Sequence, residues 1–267
     1  MKGVVALLGL VVSMPAVAGD FPAFAGPAMG TTYRVTLARD VPGMSLGEVH
    51  REVERVLARV DLSLSTWRSD SDASRFNEAQ PGEWIDVAPD LIAVVAIARR
   101  VYDETQGAFD ITSGERRIGR MRDLELRSTP PALRKNGAGL VLDLGGIGPG
   151  YAVDEIGLQL RVLGSTDHLV ELGGEVRAWG SRPDGRPWQV ALRDSASVVD
   201  LAAGEALATS TARPGKSPLD PRTGRIVEAC ASSMTVRAAT CAEADARAVA
   251  KLVLEATHPA AERNHEE

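Results

Sequence analysis

The stretch LVLDLGGIGPGYAVD, residues 140–154, combines the three local patterns that decide how this part of the chain folds. The apolar run over residues 140–144 predicts a buried strand, and the small and apolar residues over 152–163 predict a helix that Gly164 ends. Between the two lie four glycines, and glycine lets the backbone approach a ligand because it has no Cβ atom. The sequence therefore predicts a strand, a glycine-rich turn and a helix in succession.

Two interpretations of the glycine-rich turn, residues 145–150, remain open. The start of the following helix directs free N–H groups and its positive dipole end at the turn, which favours a pyrophosphate-bearing ligand. A turn that only packs between a strand and a helix often needs glycine as well. The dinucleotide motif G-x-G-x-x-G does not fit, because Tyr151 stands where its last glycine should be.

The first 18 residues have the pattern of an export signal. Lys2 precedes an apolar run over residues 4–12, and Ala16, Val17 and Ala18 form a small-residue cleavage site. No cysteine stands directly after this site, and no other apolar run approaches the 18 residues that a membrane-spanning helix needs. We therefore expect a signal peptide over residues 1–18 and a periplasmic or secreted mature protein without a transmembrane segment.

The composition is that of a globular protein and argues against a nucleic-acid partner. Of the 267 residues, 44% are hydrophobic, which permits a sizeable core in one large or two small domains. The net charge is −6, and no basic patch alternates with aromatic residues. Cys230 and Cys241 either form a disulfide, which export permits, or remain two unpaired thiols.

Hydrophobic periodicity places helices mainly in the first half of the chain and at its end, with hairpin-like strands between them. The predicted helices cover residues 46–60 with Ser45 as the N-cap, 90–102, 152–163 and 242–254. The predicted strands cover residues 31–37, 84–87, 140–144, 168–172, 175–179, 188–193, 198–201, 206–210 and 232–237. Because this order is not a strict βαβ alternation, we expect an α+β fold with a mostly antiparallel sheet and flanking helices.

The residue types limit which nucleophiles and which metal ligands this chain can offer. The chain has four histidines, and none stands in a recognisable motif with a serine or cysteine nucleophile. No Cys/His set has the spacing of zinc ligands, so carboxylate and carbonyl oxygens are left for a metal, and beside a phosphate such ligands suggest Mg²⁺.

Several polar segments have both a functional and a structural interpretation. Trp67 lies in a loop of serines and aspartates over residues 63–77, where it either stacks on a planar ligand ring or anchors the loop to the core. The segment 107–110 either binds a ligand or ends a helix, and residues 220–224 read as a turn. Glu243 and Asp245 open the last helix, where acids either suit the helix dipole or hold a metal, and we expect Asp245 in an exposed turn of that helix.

Together and in this order, these segments resemble the FAD:protein FMN transferase family, also called ApbE. The matching segments span nearly the whole predicted mature chain: 28–31, 64–67 with Asp70 and 74–77, 107–112, 142–154, 171–177, 208–210, 220–224 and 241–246. The chain is identified as a compact, divergent member. The resemblance implies a T-fold-related α+β domain over residues 19–256. The histidines and terminal glutamates after it predict a flexible, solvated tail over residues 257–267.

The resemblance also implies an activity and a set of site residues. Family members bind FAD, cleave its pyrophosphate with Mg²⁺ and transfer FMN to a threonine or serine of an exported acceptor protein. The positions implied to bind the flavin nucleotide are Met29, Trp67, Ala108, Phe109, Asp110, Gly145 and Tyr151. The positions implied to hold the metal are the main-chain oxygen of Gly148 and the carboxylate of Asp245, and no catalytic residue is implied.

The sequence departs from the family pattern at several positions. Val249 stands four residues after Asp245, where the family usually has threonine or serine, and Pro149 stands where lysine is common. Residues 113–122 form a short basic segment, and the usual insertion and histidine before Asp220 are absent. Two alternatives to a transferase therefore remain: an FAD-binding protein without transferase activity, and an FAD pyrophosphatase that releases FMN and AMP.

Overall fold

The structure, a computed structural model, describes residues 21–113, 119–192, 197–212, 219–227 and 233–257. The predicted signal peptide, Cys230 and residues 258–267 of the predicted tail lie outside the described residues. Residue 257, where the predicted tail begins, is the last residue of a helix. Within the described part of the chain, no helix has the length and apolar character needed to cross a membrane.

Thirteen strands and five α-helices make up the described fold. The strands are β1 Ala23–Ala28, β2 Thr31–Leu37, β3 Trp84–Asp86, β4 Leu124–Ser128, β5 Pro131–Lys135, β6 His168–Leu172, β7 Glu175–Trp179, β8 Trp188–Ala191, β9 Val198–Leu201, β10 Ala206–Thr211, β11 Leu219–Asp220, β12 Arg225–Ile226 and β13 Ser233–Ala238. The helices are α1 Leu46–Leu64, α2 Asp72–Glu78, α3 Pro89–Glu104, α4 Gly148–Val162 and α5 Cys241–Thr257, and a single 3₁₀ turn covers Met121–Asp123.

A six-stranded sheet with the order β1-β2-β6-β7-β10-β13 forms the centre of the protein. A three-stranded sheet, β3-β5-β4, and the two hairpins β8-β9 and β11-β12 complete the described β-structure. Every described strand pair is antiparallel. The prediction of an α+β fold with an antiparallel sheet and flanking helices is confirmed.

Side chains alternate between the two faces of the central sheet, and each face is covered by a different layer. Val170 and Leu172 of β6 face the main core, where α4 packs on β6 and β7 and α5 packs on β10 and β13. Leu169 faces a smaller core that is built around the fully buried Trp188 of the β8-β9 hairpin. The helices on the first face carry much of the site described below.

Helix α1 shows how local sequence sets an element boundary. The Ser45 hydroxyl accepts a hydrogen bond from Glu48 N, while the Glu48 carboxylate accepts one from Ser45 N, which is a capping box. The predicted N-cap is confirmed. The helix continues four residues past its predicted end at residue 60, because Leu64 extends the buried stripe by one more turn.

The predicted strand over residues 140–144 is wrong. Leu140, Leu142 and Leu144 are buried, but this segment joins no sheet. Instead, the Asn77 amide pairs with both main-chain groups of Leu142, accepting from N at 2.7 Å and donating to O at 3.1 Å, and Asp143 N donates to Ile111 O. Burial alone cannot distinguish a strand from an extended segment held by side chains.

Helix α4 begins at Gly148 and not at residue 152 as predicted. Pro149 occupies its first turn, a position that proline favours because the N–H it lacks would have no helical partner there. The glycine-rich turn is therefore shorter than predicted, and its second half is already helical.

Cys241, at the start of α5, is a buried free thiol whose pKa is raised by burial.

The stability of this fold is expected to depend on pH through His168. The ring is fully buried, stacks on Trp179 with 4.9 Å between centroids, and shares a hydrogen bond through Nδ1 with the Ser165 hydroxyl. Burial lowers the pKa of His168 from 6.5 to about 4. Between pH 6.5 and 4 the unfolded chain therefore binds a proton at this histidine while the folded protein does not. Up to about 3 kcal/mol of the free energy of unfolding is lost as pH falls through this range.

This prediction is checked by urea unfolding of the protein and of His168→Asn at half-unit pH intervals. The asparagine variant should start from a lower stability at pH 7 because it loses the ring stack, but it should show a flatter acid limb. Parallel curves for the two proteins would show that His168 does not cause the acid sensitivity.

Candidate active site

A cleft of about 630 Å³ opens where three loops meet. Its walls are Met29 and Gly30 of the β1-β2 turn, Asp61 with residues 64–68 at the end of α1, and Leu144, Gly145, Gly148 and Pro149 of the glycine-rich turn. This volume lies within the range of small-molecule sites. The cleft brings together four of the predicted site residues: Met29, Trp67, Gly145 and Gly148.

The β1-β2 turn places Met29 at the edge of the cleft. Met29 and Gly30 have φ values of +47° and +76° and form a two-residue hairpin connection between the paired residues Ala28 and Thr31. A left-handed conformation is uncommon for a residue other than glycine, so the hairpin holds Met29 in a fixed position. The Met29 methyl lies 3.5 Å from the point where a Cβ on Gly148 would stand.

The loop after α1 exposes Trp67 through a set of local hydrogen bonds. The Ser65 hydroxyl accepts from Trp67 N and Arg68 N, both at 3.3 Å, and Ser65 O accepts from the Ser71 and Ser74 hydroxyls. The loop is therefore ordered while Trp67 is 96% exposed. An ordered aromatic ring that is left in water beside a cleft suits stacking on a planar ligand.

The glycine-rich turn offers fewer free N–H groups than the sequence predicts. Gly148 N donates to Leu144 O at 2.8 Å, and Tyr151 N donates to Ile147 O. Pro149 has no N–H, Gly150 N donates to Asp245, and Gly145 N donates to the Asp143 carboxylate at 3.0 Å. The start of α4 therefore has few donors left for an anion, and a phosphate placed there needs a cation as well.

Asp245 extends from α5 to the first turn of α4. Its Oδ2 accepts a hydrogen bond from Gly150 N at 3.2 Å, and no described lysine or arginine pairs with it. The side chain is 5% exposed, so the expectation of an exposed surface position is wrong. Burial raises the pKa of Asp245 to about 7.

A hard cation would fit this position. A buried carboxylate without a counter-charge is costly, and a cation beside it would remove that cost and restore the ionised form. No group of three or more His, Cys, Asp or Glu side chains that could hold a metal occurs among the described residues. The donor set at Asp245 would therefore consist of one carboxylate with main-chain oxygens, of which Gly148 O is the predicted one, and Mg²⁺ accepts such oxygen ligands.

The starts of α4 and α5 are locked together by a reciprocal arrangement. While Gly150 N of α4 donates to Asp245, Cys241 N and Ala242 N of α5 donate to the Asp154 carboxylate of α4 at 2.9 and 3.0 Å. A Cβ on Gly150 would stand 2.4 Å from Cys241 O, so only glycine allows this approach. This contact fixes Asp245 relative to the glycine-rich turn.

The sequence profile of the ApbE family matches residues 29–266. The chain belongs to the ApbE family. The FAD:protein FMN transferases of Haemophilus influenzae and Vibrio cholerae are 28% and 29% identical to it over 86% of this chain and 79% and 80% of their own lengths.

Solved ApbE structures share the fold. The apo flavinyl transferase ApbE of Pseudomonas stutzeri superimposes with a TM-score of 0.78 and 32% identity, covering 87% of this chain and 85% of its own. The flavin transferase ApbE of Vibrio cholerae gives a TM-score of 0.79 and 29% identity over 87% and 86% of the two chains. The family resemblance and the fold that it implies are confirmed.

Three of the predicted ApbE ligand positions are not part of the cleft lining. Ala108, Phe109 and Asp110 are buried and do not line the cleft. The Asp110 carboxylate accepts hydrogen bonds from Thr112 N at 2.7 Å, from the Thr112 hydroxyl at 2.6 Å and from Met121 N at 3.2 Å. Burial raises the pKa of Asp110, and these hydrogen bonds oppose the shift. The role of the three residues in ligand contact stays a prediction.

Tyr151 does not line the cleft either. Its hydroxyl donates to the Asp90 carboxylate of α3 at 2.8 Å, and Asp90 in turn pairs with Arg59 of α1. In this structure the tyrosine joins three helices below the glycine-rich turn. Its contact with a nucleotide stays a prediction.

Val249, which departs from the ApbE pattern, packs on the glycine-rich turn. Its Cγ2 lies 2.9 Å from the point where a Cβ on Gly146 would stand, and Phe109 Cε2 lies 3.5 Å from the same point. The turn therefore rests on an apolar surface.

The sequence analysis assigned no role to Asp154 or Asn77, although both position this turn. The signal for such residues is a charged or amide side chain next to a buried apolar run.

Proposed function

We propose that this ApbE protein is a Mg²⁺-dependent FAD:protein FMN transferase that transfers FMN to a threonine or serine of an exported acceptor protein. The observation that carries the proposal is that the buried Asp245 carboxylate is hydrogen-bonded to the first turn of α4, whose residues Gly148 and Pro149 line the cleft. The relatives that carry this name support the activity.

The cleft suits the two chemically different parts of FAD. Trp67 and Met29 offer an exposed ring and a polarisable thioether for the planar parts of the nucleotide. The glycine-rich turn leaves room for the pyrophosphate, since Gly145 and Gly148 present backbone without side chains. Asp245 and the main-chain oxygen of Gly148 would hold Mg²⁺, which when bound supplies positive charge to the pyrophosphate oxygens.

The proposed reaction is a substitution at phosphorus. The acceptor hydroxyl oxygen forms a bond to the phosphorus of the FMN half, and the bond from that phosphorus to the bridging oxygen breaks. AMP leaves with the bridging oxygen, and the hydroxyl proton passes to solvent. The residues of the chain act by orientation: the locked starts of α4 and α5 fix the turn, and the ordered loop around Trp67 fixes the nucleotide.

Export of the protein is part of this proposal. The signal-peptide pattern of residues 1–18 supports a periplasmic or secreted location, where the chain would meet an exported acceptor. Expression of the full chain followed by mass spectrometry of the mature protein tests it, and the expected N-terminus lies near Gly19.

The activity is tested in Vibrio cholerae cells that lack their own FAD:protein FMN transferase and express this chain. We expect flavin-fluorescent protein bands in a denaturing gel, and the purified protein with FAD, Mg²⁺ and extract of these cells should release AMP in proportion to the label. Absence of both the label and AMP would contradict the proposal.

The apolar Val249 favours a second candidate, an FAD-binding protein without transferase activity. Valine has the shape of threonine but offers no side-chain oxygen, and it lies directly on the glycine-rich turn. Such a protein would bind FAD with the same affinity in EDTA, and Val249→Thr would restore transferase turnover. A pyrophosphatase would instead release free FMN together with AMP, which chromatography of the products separates from protein-bound flavin.

A further inference from the structure

A second groove, of about 290 Å³, lies between the β1-β2 hairpin and α1. Ala28 and Met29 form its wall on the hairpin side, and Leu57 and Ala58 form its wall on the helix side. The four side chains of these two walls are small or apolar. The groove is not needed to explain how the main cleft holds a nucleotide.

This groove adjoins the main cleft. Met29 and Asp61 line both. The Met29 methyl lies 3.5 Å from the Cβ point of Gly148, so the groove ends next to the glycine-rich turn. A chain segment in the groove would therefore reach the place where the proposed reaction needs a hydroxyl.

The charges of the groove are negative. Glu54 has a side chain that is 58% exposed, and its described ionic neighbour is His50, whose Nε2 lies 3.8 Å away. Asp61 is 3.5 Å from Arg68, which also pairs with Asp70. The Tyr33 hydroxyl shares a hydrogen bond with His50 Nε2 at 2.8 Å and adds no charge to the groove.

We propose that this groove binds the segment of the acceptor protein that carries the accepting hydroxyl. The proposal rests on the proposed transferase function and names the partner surface of that site. The occupant is an extended segment with small side chains next to the hydroxyl residue, because a groove of about 290 Å³ has little room for large ones. It carries a basic side chain within reach of Glu54, since an acidic rim attracts a cationic partner and repels an anionic one.

The proposal is tested by filling the groove with Ala58→Arg. Ala58 is exposed on α1, so an arginine is compatible with the helix there. In Vibrio cholerae cells without their own transferase, we expect this variant to label acceptor protein at least tenfold less than the unmodified chain. The dissociation constant of the purified variant for FAD should stay within twofold. Leu62→Arg, exposed on the same helix and outside both cavities, is the matched control and should label normally.

The outcomes separate the groove from the nucleotide site. Normal labelling by Ala58→Arg would overturn the proposal, and so would a parallel loss of FAD binding, because the groove would then be part of the nucleotide site. Glu54→Lys should also reduce labelling severalfold with unchanged FAD affinity, and full labelling would contradict the basic partner. If the unmodified chain binds FAD but labels nothing, the transferase function itself fails, and the groove assignment fails with it.

Discussion

Asp245→Asn is expected to lower Mg²⁺-dependent AMP release from FAD by about 1,000-fold or more, because a metal supplies several kcal/mol of charge stabilisation. The amide keeps an oxygen that can accept the hydrogen bond from Gly150 N, so the contact between α4 and α5 can persist. What the variant loses is the negative charge that would hold a cation. The loss should therefore affect metal affinity and turnover, while the fold is retained.

The stability of the same variant gives an independent readout. Burial raises the pKa of Asp245 from 3.8 to about 7, so the folded protein keeps a proton that the unfolded chain releases. This group therefore costs stability as pH rises from about 4 to 7, and the asparagine variant avoids that cost. We expect its melting temperature at pH 7.5, without added Mg²⁺, to equal or exceed that of the unmodified protein.

Product chromatography and thermal melting at several Mg²⁺ concentrations measure both effects. The matched control is Glu243→Gln, two residues earlier on α5, whose carboxylate pairs with Arg100 at 2.9 Å; it should retain near-normal turnover. If Asp245→Asn and the unmodified chain depended equally on Mg²⁺, Asp245 would not be a metal ligand.

Asp154→Ala should destabilise the fold by about 3–5 kcal/mol, the usual effect of breaking a buried ion pair. The carboxylate accepts from Cys241 N, from Ala242 N and from Arg177 Nη1 at 2.7 Å. Its removal leaves two N–H groups of α5 without this cap and the Arg177 guanidinium, largely buried against Trp179, without its counter-charge. Turnover should fall too, since α5 carries Asp245.

Denaturant unfolding measures the loss, and the melting temperature should fall by about 10 °C. Glu155→Ala is the control in the next position of α4: its carboxylate pairs with the half-exposed Arg59, and such surface pairs contribute about 1 kcal/mol or less. If the two variants unfold at the same midpoint, Asp154 is not the residue that fixes the start of α5.

The parts of the fold that sequence predicts well are those that local patterns determine. Strands β2, β6 and β7 lie at their predicted bounds. For β6 and β7 the reason is that the turn at Gly173 and Gly174 interrupts the apolar pattern. Both glycines have positive φ, +70° and +138°, which a two-residue hairpin turn requires. The Ser45 cap of α1 is local in the same sense.

The elements that sequence analysis missed lack a clear hydrophobic pattern of their own. Strand β1 contains Gly26 and Pro27, which weaken a strand pattern, and it is tolerated because it is an edge strand. The β4-β5 hairpin is rich in charged residues and is partly exposed. Helix α2 lies in a segment that reads as a loop, although Ser71 caps it by accepting from Ser74 N.

For the candidate site, the sequence supplies the residues but not their distances. Met29, Trp67 and Gly148 meet in one cleft only because a hairpin, a helix end and a turn converge. The hydrogen bond between Gly150 and Asp245 joins residues 95 positions apart, and no local pattern predicts it. Burial of Asp245 follows from that same long-range contact.

The occupied N–H groups at the start of α4 have a consequence for ligand selectivity. Since Gly148, Gly150 and Tyr151 already donate within the protein, in the proposed enzyme a diphosphate and a divalent ion would each raise the affinity for the other, by the same factor. Riboflavin has no phosphate and would gain nothing from the ion. This thermodynamic linkage between metal and diphosphate, and not the shape of the cleft around the flavin ring, would then distinguish FAD from simpler flavins.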